Sequence, residues 1–269
     1  MEDLLISSPQ NDRIKKVVKL RDRRGRDKQG KYIIEGYRAL SRGLTHGLKL
    51  TELYYCPEYF LGENEYALID QHREKGATAV QVTRSVFDKM AYRDRPEGLL
   101  GVAPQFHNSL EDITVGDVPF LLVAEAIEKP GNLGTILRSA DATGTDALIV
   151  CDRCTDIFNP NVVRASTGCV FSVPTMEDSS ENVIKWLKKN NIKILAATPH
   201  TTNMYTDVDM TGPIAIAVGT EQYGLSDKWM EEADLKVKIP MLGEADSLNV
   251  ATATTILMYE VIRQRGITE

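Results

Sequence analysis

From residue 120 onward the chain alternates short apolar runs with amphipathic segments, and that rhythm leaves few folds open. Residues 120–124, 147–150, 192–197, 214–218 and 237–239 read as strands. Between them, residues 132–143 place Leu133, Ile136, Leu137 and Ala140 on one side of a helix. Residues 179–189 turn Val183, Ile184 and Leu187 inward, and residues 161–166 read as a helical turn. Short apolar strands separated by amphipathic helices predict an α/β domain, a parallel sheet covered on both faces.

The final segment is the most informative. Pro240 stops the strand before it, because proline has no N–H for the ladder. A Gly-containing loop follows, then a helix that Asp246, Ser247 or Asn249 can cap. Val250, Thr254, Leu257 and Val261 share one helical face; Arg263 and Arg265 suit its last turn, and Gly266 its stop. The first turns, Ala251-Thr252-Ala253-Thr254-Thr255, are small and partly β-branched, a poor choice for helix stability alone. Small side chains admit a close neighbour, either packed backbone or a ligand. Polar residues at a strand-to-helix turn favour a ligand, since open α/β sheets bind outside the carboxyl ends of their strands.

Two earlier loops also follow strands. Residues 125–138 contain Pro130-Gly131-Asn132, a turn whose Asn132 can cap the next helix, and Arg138 lies on that helix. Residues 218–226 read Val-Gly-Thr-Glu-Gln-Tyr-Gly-Leu-Ser. There Gly219 permits close backbone approach, Glu221 can anchor hydrogen bonds, and Ser226 can cap the following helix.

The first hundred residues form a smaller α/β unit. Residues 32–35, 50–56, 79–82 and 98–102 read as strands, and residues 37–45, 64–75 and 85–91 as helices. Ile14, Val17 and Val18 mark an amphipathic helix before them, and residues 21–31, Gly-interrupted and highly charged, read as a loop. With 269 residues the chain exceeds one comfortable core. We expect domains over residues 1–104 and 118–269, joined by a polar linker at 105–117.

Net charge is −6, which by itself argues against a nucleic-acid partner, yet residues 13–31 carry ten Lys or Arg against two Asp. A basic block on an acidic body points to a polyanion such as RNA or DNA. Arg13, Lys15, Lys16, Lys19, Arg21, Arg23, Arg24 and Arg26 are the expected phosphate contacts. Cys151 and Cys154 form a lone C-x-x-C without the further ligands zinc requires, and the four histidines are scattered, so no metal is expected. No apolar run approaches the ~20 residues of a membrane span. The Met-Glu-Asp-Leu-Leu start lacks the marks of a signal peptide, so the expectation is a cytoplasmic protein with reduced cysteines.

Taken together, P-G-N-L-G-x-x-x-R, V-G-T-E-x-x-G-L-S and I-P-M-x-G-x-x-x-S-L-N-V resemble, in order, the three motifs of the SpoU/TrmH-type RNA ribose 2′-O-methyltransferases. The resemblance spans residues 118–265, and residues 161–166, with Arg164, look like a further segment of that family. Residues 11–36 are similar to an L30-like substrate-binding domain, although Pro96-Glu97-Gly98 stands where relatives commonly have Pro-Gln-Gly.

The resemblance implies a SPOUT fold with a deep C-terminal trefoil knot, a homodimer with each site completed by the second copy, and S-adenosylmethionine as cofactor. It implies methyl transfer to a 2′-hydroxyl of structured RNA, ribosomal by family habit, with transfer RNA as the alternative. Thr198, Gly219, Glu221, Ile239, Met241, Ser247, Leu248 and Asn249 would hold the cofactor. Backbone groups at Gly219, Ile239 and Leu248 suit an adenine edge. Arg138 would act on the 2′-oxygen, either as base or by gripping phosphate and stabilising developing charge; a guanidinium pKa above ~12 favours the second role. Asn132, Glu221, Ser247 and Asn249 would position it, and Arg164 would join the RNA contacts. Tyr259 is expected at the dimer interface.

Two rival readings remain. Gly131 and Gly134 followed by Asp152 loosely match a dinucleotide fingerprint, but its first glycine is absent. A non-catalytic RNA-binding relative is the other, opposed by the intact polar set.

Overall fold

The two hydrophobic rhythms produce two sheets. The structure is a computed structural model that describes residues 4–266; residues 1–3, read above for a leader, lie outside the described residues. The chain begins with β1 (Leu4–Ile6), α1 (Asp12–Lys19), α2 (Arg23–Gln29), β2 (Lys31–Glu35), α3 (Tyr37–Thr45), β3 (Glu52–Tyr55), α4 (Glu65–Glu74), β4 (Thr78–Val82), α5 (Arg84–Met90) and β5 (Leu99–Pro104). It continues through β6 (Phe120–Glu125), α6 (Pro130–Ala142), β7 (Ala147–Cys151), α7 (Pro160–Ala165), β8 (Thr175–Asp178) and α8 (Ser180–Lys189). β9 (Lys193–Ala197), β10 (Ile214–Val218), α9 (Asp227–Glu232), β11 (Leu235–Val237) and α10 (Val250–Gln264) complete it. These elements form two compact units, Met1–Phe106 with Asp156–Ser172, and His107–Thr155 with Val173–Glu269.

The first unit holds a sheet in the order β1-β4-β3-β5-β2, with β5 antiparallel to both its neighbours. Ile14 and Val17 of α1 and Val86, Phe87 and Met90 of α5 share its core with Ile33, Tyr54, Val80 and Val102. Residues 21–31, expected as a loop, instead contain α2. Its internal glycine is a point of contact: a Cβ on Gly25 would collide with the Lys19 carbonyl at the end of α1. The helix then closes on Gly30 at φ +60°, a left-handed cap suited to glycine.

Asp156–Ser172 belongs to this first unit, whereas a linear division at residues 104 and 118 assigns it to the second domain. Arg26, 1% exposed, donates to both carboxylate oxygens of Asp156 (3.2 and 2.6 Å) and to the carbonyls of Leu20 (3.1 Å) and Arg21 (2.7 Å). Phe158 packs on Tyr32 with ring centroids 4.8 Å apart, and Arg42 donates to the Thr167 carbonyl (3.1 Å) and hydroxyl (3.0 Å). Sequence periodicity reports that a face is buried; it does not report against what.

The second unit is a parallel sheet in the order β11-β9-β10-β6-β7-β8. Every residue of β6, β7 and β10 is buried, which explains their unbroken apolar sequence. β8, Thr-Met-Glu-Asp, carries too little apolar pattern to be read beforehand. The expected linker is partly packed: Ser109 and Asp112 form a capping box, and Leu110 and Ile113 enter this unit's core. β11 ends at Val237, two residues earlier than expected, with a single bridge from Lys238 to Met204 beyond it. Val250, Thr254, Leu257 and Val261 of α10 are all buried. Their small neighbours let α10 lie close to α6, where Ser139 and Thr255 hydroxyls bond at 2.7 Å. Among the described residues, no helix is long and apolar enough to cross a membrane.

Candidate active site

Parallel strands end on one side, so the loops after β9, β10 and β11 meet there. Together with α10 they line a cavity of about 700 Å³ within the second unit. Thr198, Gly219, Glu221, Ile239, Met241, Ser247 and Leu248 all face it, and Val250, Ala253 and Leu257 of α10 contribute an apolar wall. Thr198 is fixed by its N–H to the Val237 carbonyl (2.9 Å), and its hydroxyl accepts from the His200 N–H (3.1 Å). The backbone groups of Gly219, Ile239, Met241 and Leu248 make no hydrogen bond among the described residues, which leaves them open to a ligand.

The loop after β10 doubles back at once. Thr220 and Gly224 exchange backbone hydrogen bonds, both 3.0 Å, and Gly224 adopts φ +71°. A Cβ on Gly219 would fall on the Gly224 carbonyl, so only glycine fits. This turn presents Glu221 to two other loops. Its carboxylate accepts from Asn132 (2.8 Å) and Asn249 (2.7 Å) and pairs with Lys129. The Asn249 amide also donates to the Asn132 side-chain oxygen (3.1 Å), while its own oxygen caps α10 through the Ala251 N–H (3.1 Å). Lys129 first, then Asn132, hold the Glu221 carboxyl below the usual carboxylate range.

The structure therefore brings seven expected residues to one cavity and ties Asn132 and Asn249 to it through Glu221. Arg138 is different. It stands exposed on α6, its guanidinium makes no hydrogen bond or ion pair among the described residues, and it does not line the cavity. Six residues past Asn132, it falls on another stripe of the helix. Lys129, His200, Tyr223, Asp227 and Lys238 also belong to the site, and sequence reading passed over them. Lys129 had a signal, being next to the Pro130-Gly131-Asn132 turn, and so did Tyr223, which lies inside the 218–226 loop; His200 had none.

The basic block needs correction. Arg26 is buried against Asp156, and Arg21 donates to the carbonyls of Lys89 (2.6 Å) and Ala91, so both guanidiniums are occupied inside the first unit. Arginine's fork of donors suits such carbonyl-gripping. Arg13 pairs with Glu52 (2.8 Å), Lys15 with Asp12 (3.2 Å) and Arg23 with Asp27 (3.7 Å). Lys16, Lys19 and Arg24 are exposed with no ion partner among the described residues. Arg164 is exposed on α7 and donates to Asn161 (3.1 and 2.6 Å). Burial raises the Cys151 thiol pKa, Cys154 is exposed, and no group of three or more potential metal ligands occurs among the described residues.

The family model described as the SpoU rRNA Methylase family matches residues 119–259, and one described as an MRM3-like substrate binding domain matches residues 11–101. A 23S rRNA (uridine(2479)-2′-O)-methyltransferase of Streptomyces viridochromogenes is 32% identical over 253 residues, 91% of this chain and 87% of that protein. A crystal structure described as an RNA 2′-O ribose methyltransferase superposes with a TM-score of 0.86 at 38% identity, covering 98% of this chain and 100% of the other. An AdoMet-bound rRNA methyltransferase from Sinorhizobium meliloti gives a TM-score of 0.88 at 29% identity, covering 96% and 97%.

Proposed function

The chain belongs to the SpoU rRNA methylase family, and from that premise we propose that it is an S-adenosylmethionine-dependent RNA (ribose-2′-O)-methyltransferase acting on ribosomal RNA. The observation that carries this reading is the clamp of Asn132 and Asn249 on Glu221, which joins all three motif loops beside one cavity. The cavity fits the cofactor by size and chemistry. About 700 Å³ lies within the range of small-molecule sites, and unused backbone groups flank an apolar wall.

Gly219, Ile239 and Leu248 would meet the adenine edge, with Thr198, Met241 and Ser247 lining the rest. When bound, S-adenosylmethionine supplies a methyl group on a sulfonium, which a ribose 2′-oxygen takes as the C–S bond breaks, leaving S-adenosylhomocysteine and one proton. The protein's task is alignment and relief of that proton. Glu221 is a poor proton acceptor, because its carboxyl is held low by Lys129 and Asn132; it is a positioning residue. Arg138 keeps its guanidinium uncommitted, as a phosphate grip and stabiliser of negative charge requires.

The finer fold is part of the same reading. A trefoil knot is consistent with a C-terminal segment that lines the cavity and then packs on α6, far behind it in sequence. An L30-like first unit that takes up the RNA agrees with the substrate-binding match and with exposed Lys16, Lys19 and Arg24. A homodimer is supported by α10, where Thr252, Ile256, Tyr259 and Ile262 recur at helical spacing on its less buried side. Arg138 would then serve the cavity of the second copy. A cytoplasmic site of action accords with an rRNA substrate.

The test is transfer of labelled methyl groups to RNA from cells lacking this protein, with the modified nucleotide mapped. A new 2′-O-methyl in ribosomal RNA is expected. Label in transfer RNA alone would move the substrate, and no label in any RNA would refute the reading.

A further inference from the structure

An exposed aromatic side chain on the rim of the cavity has no role in the cofactor contacts just described. Tyr223 is 79% exposed, the most exposed aromatic side chain among the large hydrophobics of the described residues. It lines the cavity, yet no ring or cation partner covers it among the described residues. Its backbone is nevertheless tightly held. The Tyr223 N–H donates to the Thr220 hydroxyl (3.0 Å), the turn is closed on both sides by the Thr220–Gly224 pair, and Glu221 two residues earlier is gripped from two other loops. Water gains little from a rigid turn that lifts an uncovered ring beside a ligand cavity. Leu242, on the loop after β11 that also lines the cavity, is 98% exposed, so a second rim segment shows apolar surface. The neighbouring polar groups Glu221, Asn132 and Asn249 are occupied by one another. What remains on offer at this rim is a flat, uncovered π-face carried on a held backbone.

We propose that Tyr223 is a substrate-contacting residue that stacks on a base of the RNA, the target nucleotide or its immediate neighbour, and so seats the ribose beside the cofactor cavity. This rests on the methyltransferase reading and deepens it. Proteins recognise unpaired RNA bases by stacking them on aromatic rings, and such stacking tolerates any base, because every base has a π-face. Tyr223 would therefore contribute to affinity and placement, leaving base identity to be read elsewhere. A phenyl ring should serve almost as well as a phenol; an alanine should not.

The experiment compares wild type, Tyr223→Phe and Tyr223→Ala in full-length protein. The substrate is ribosomal RNA from cells lacking the protein, with labelled S-adenosylmethionine as donor. Expected for Tyr223→Ala is a rise in KM for RNA of about tenfold, with the Kd for S-adenosylmethionine, measured calorimetrically without RNA, within twofold of wild type. Tyr223→Phe should stay within threefold on both. The proposal is overturned if KM for RNA is unchanged in the alanine variant. It is overturned equally if cofactor affinity falls in step, which would place the ring against the cofactor, or if the alanine variant changes oligomeric state, which would place it against a second copy. Absence of transfer by wild type would remove the methyltransferase reading and this assignment together; active wild type with an indifferent alanine variant removes the assignment alone.

Discussion

The side chain of Asn249 does two jobs at once: its oxygen caps α10, and its amide donates to Glu221 at 2.7 Å. The third loop is thereby registered against the second, and Asn132 registers the first against both. The helix start and the cavity rim share one side chain, so their contributions can be separated by substitution.

Asn249→Ala removes the cap and the clamp together. It should cost about 1 kcal/mol from the cap and lower the melting temperature by about 2–4 °C in a chain of this size. Asn249→Asp keeps a good cap but sets a carboxylate against Glu221. That variant should melt near wild type yet bind S-adenosylmethionine roughly tenfold more weakly, the scale of one lost polar contact. Calorimetry on both variants reads the two effects apart.

Arg138→Ala should leave cofactor affinity unchanged and reduce methyl transfer by about 10²–10³-fold, as loss of one charge-stabilising donor does. In the homodimer proposed above, mixed dimers decide which copy it serves. Arg138→Ala protein and Gly219→Val protein should each be inactive, because Gly219 tolerates no Cβ. If Arg138 acts across the interface, co-expressed heterodimers regain one working site; if it acts within its own chain, they regain none.

Basic residues in the first unit should sort into two classes. Arg26→Ala strands the buried Asp156 carboxylate and should destabilise by about 3–5 kcal/mol in urea titrations. Replacing Lys16, Lys19 and Arg24 by Gln should leave stability alone. It should flatten the salt dependence of RNA binding by about 2–3 in log–log slope, if each meets one phosphate.

His72 on α4 is buried, and burial pushes its imidazole pKa below the ordinary 6.5. The folded state therefore prefers the neutral ring, and the unfolded chain binds the proton first. Stability from this group is complete above pH 6.5 and declines as pH falls below it toward the folded value. The urea midpoint should be lower at pH 5.5 than at pH 7.5. His72→Leu should shrink that difference, whatever its effect on the midpoint itself.

The parts of this molecule legible in the sequence are those where burial is two-sided or a turn demands one residue type. β6, β7 and β10 announced themselves through unbroken apolar runs, and Gly219 through its place straight after a strand. α2 was hidden because its helix tolerates Gly25 for a tertiary reason, the approach of the Lys19 carbonyl. Charge was the least reliable guide: Arg21 and Arg26 look like surface residues in sequence and act as internal braces. Glu221 was visible as an anchor, but its partners Lys129, Asn132 and Asn249 lie 92, 89 and 28 residues from it, and pairing at that range leaves no local trace.

The stretch Asp156–Ser172 has a consequence for how this chain can be taken apart. Cleavage between residues 104 and 118 would strip the leading fragment of the carboxylate that neutralises Arg26 and of the ring that covers Tyr32. Neither piece would be a whole domain. The boundary between the two units is crossed twice by the chain, so an excised first unit must carry residues 156–172 with it to keep its own core closed.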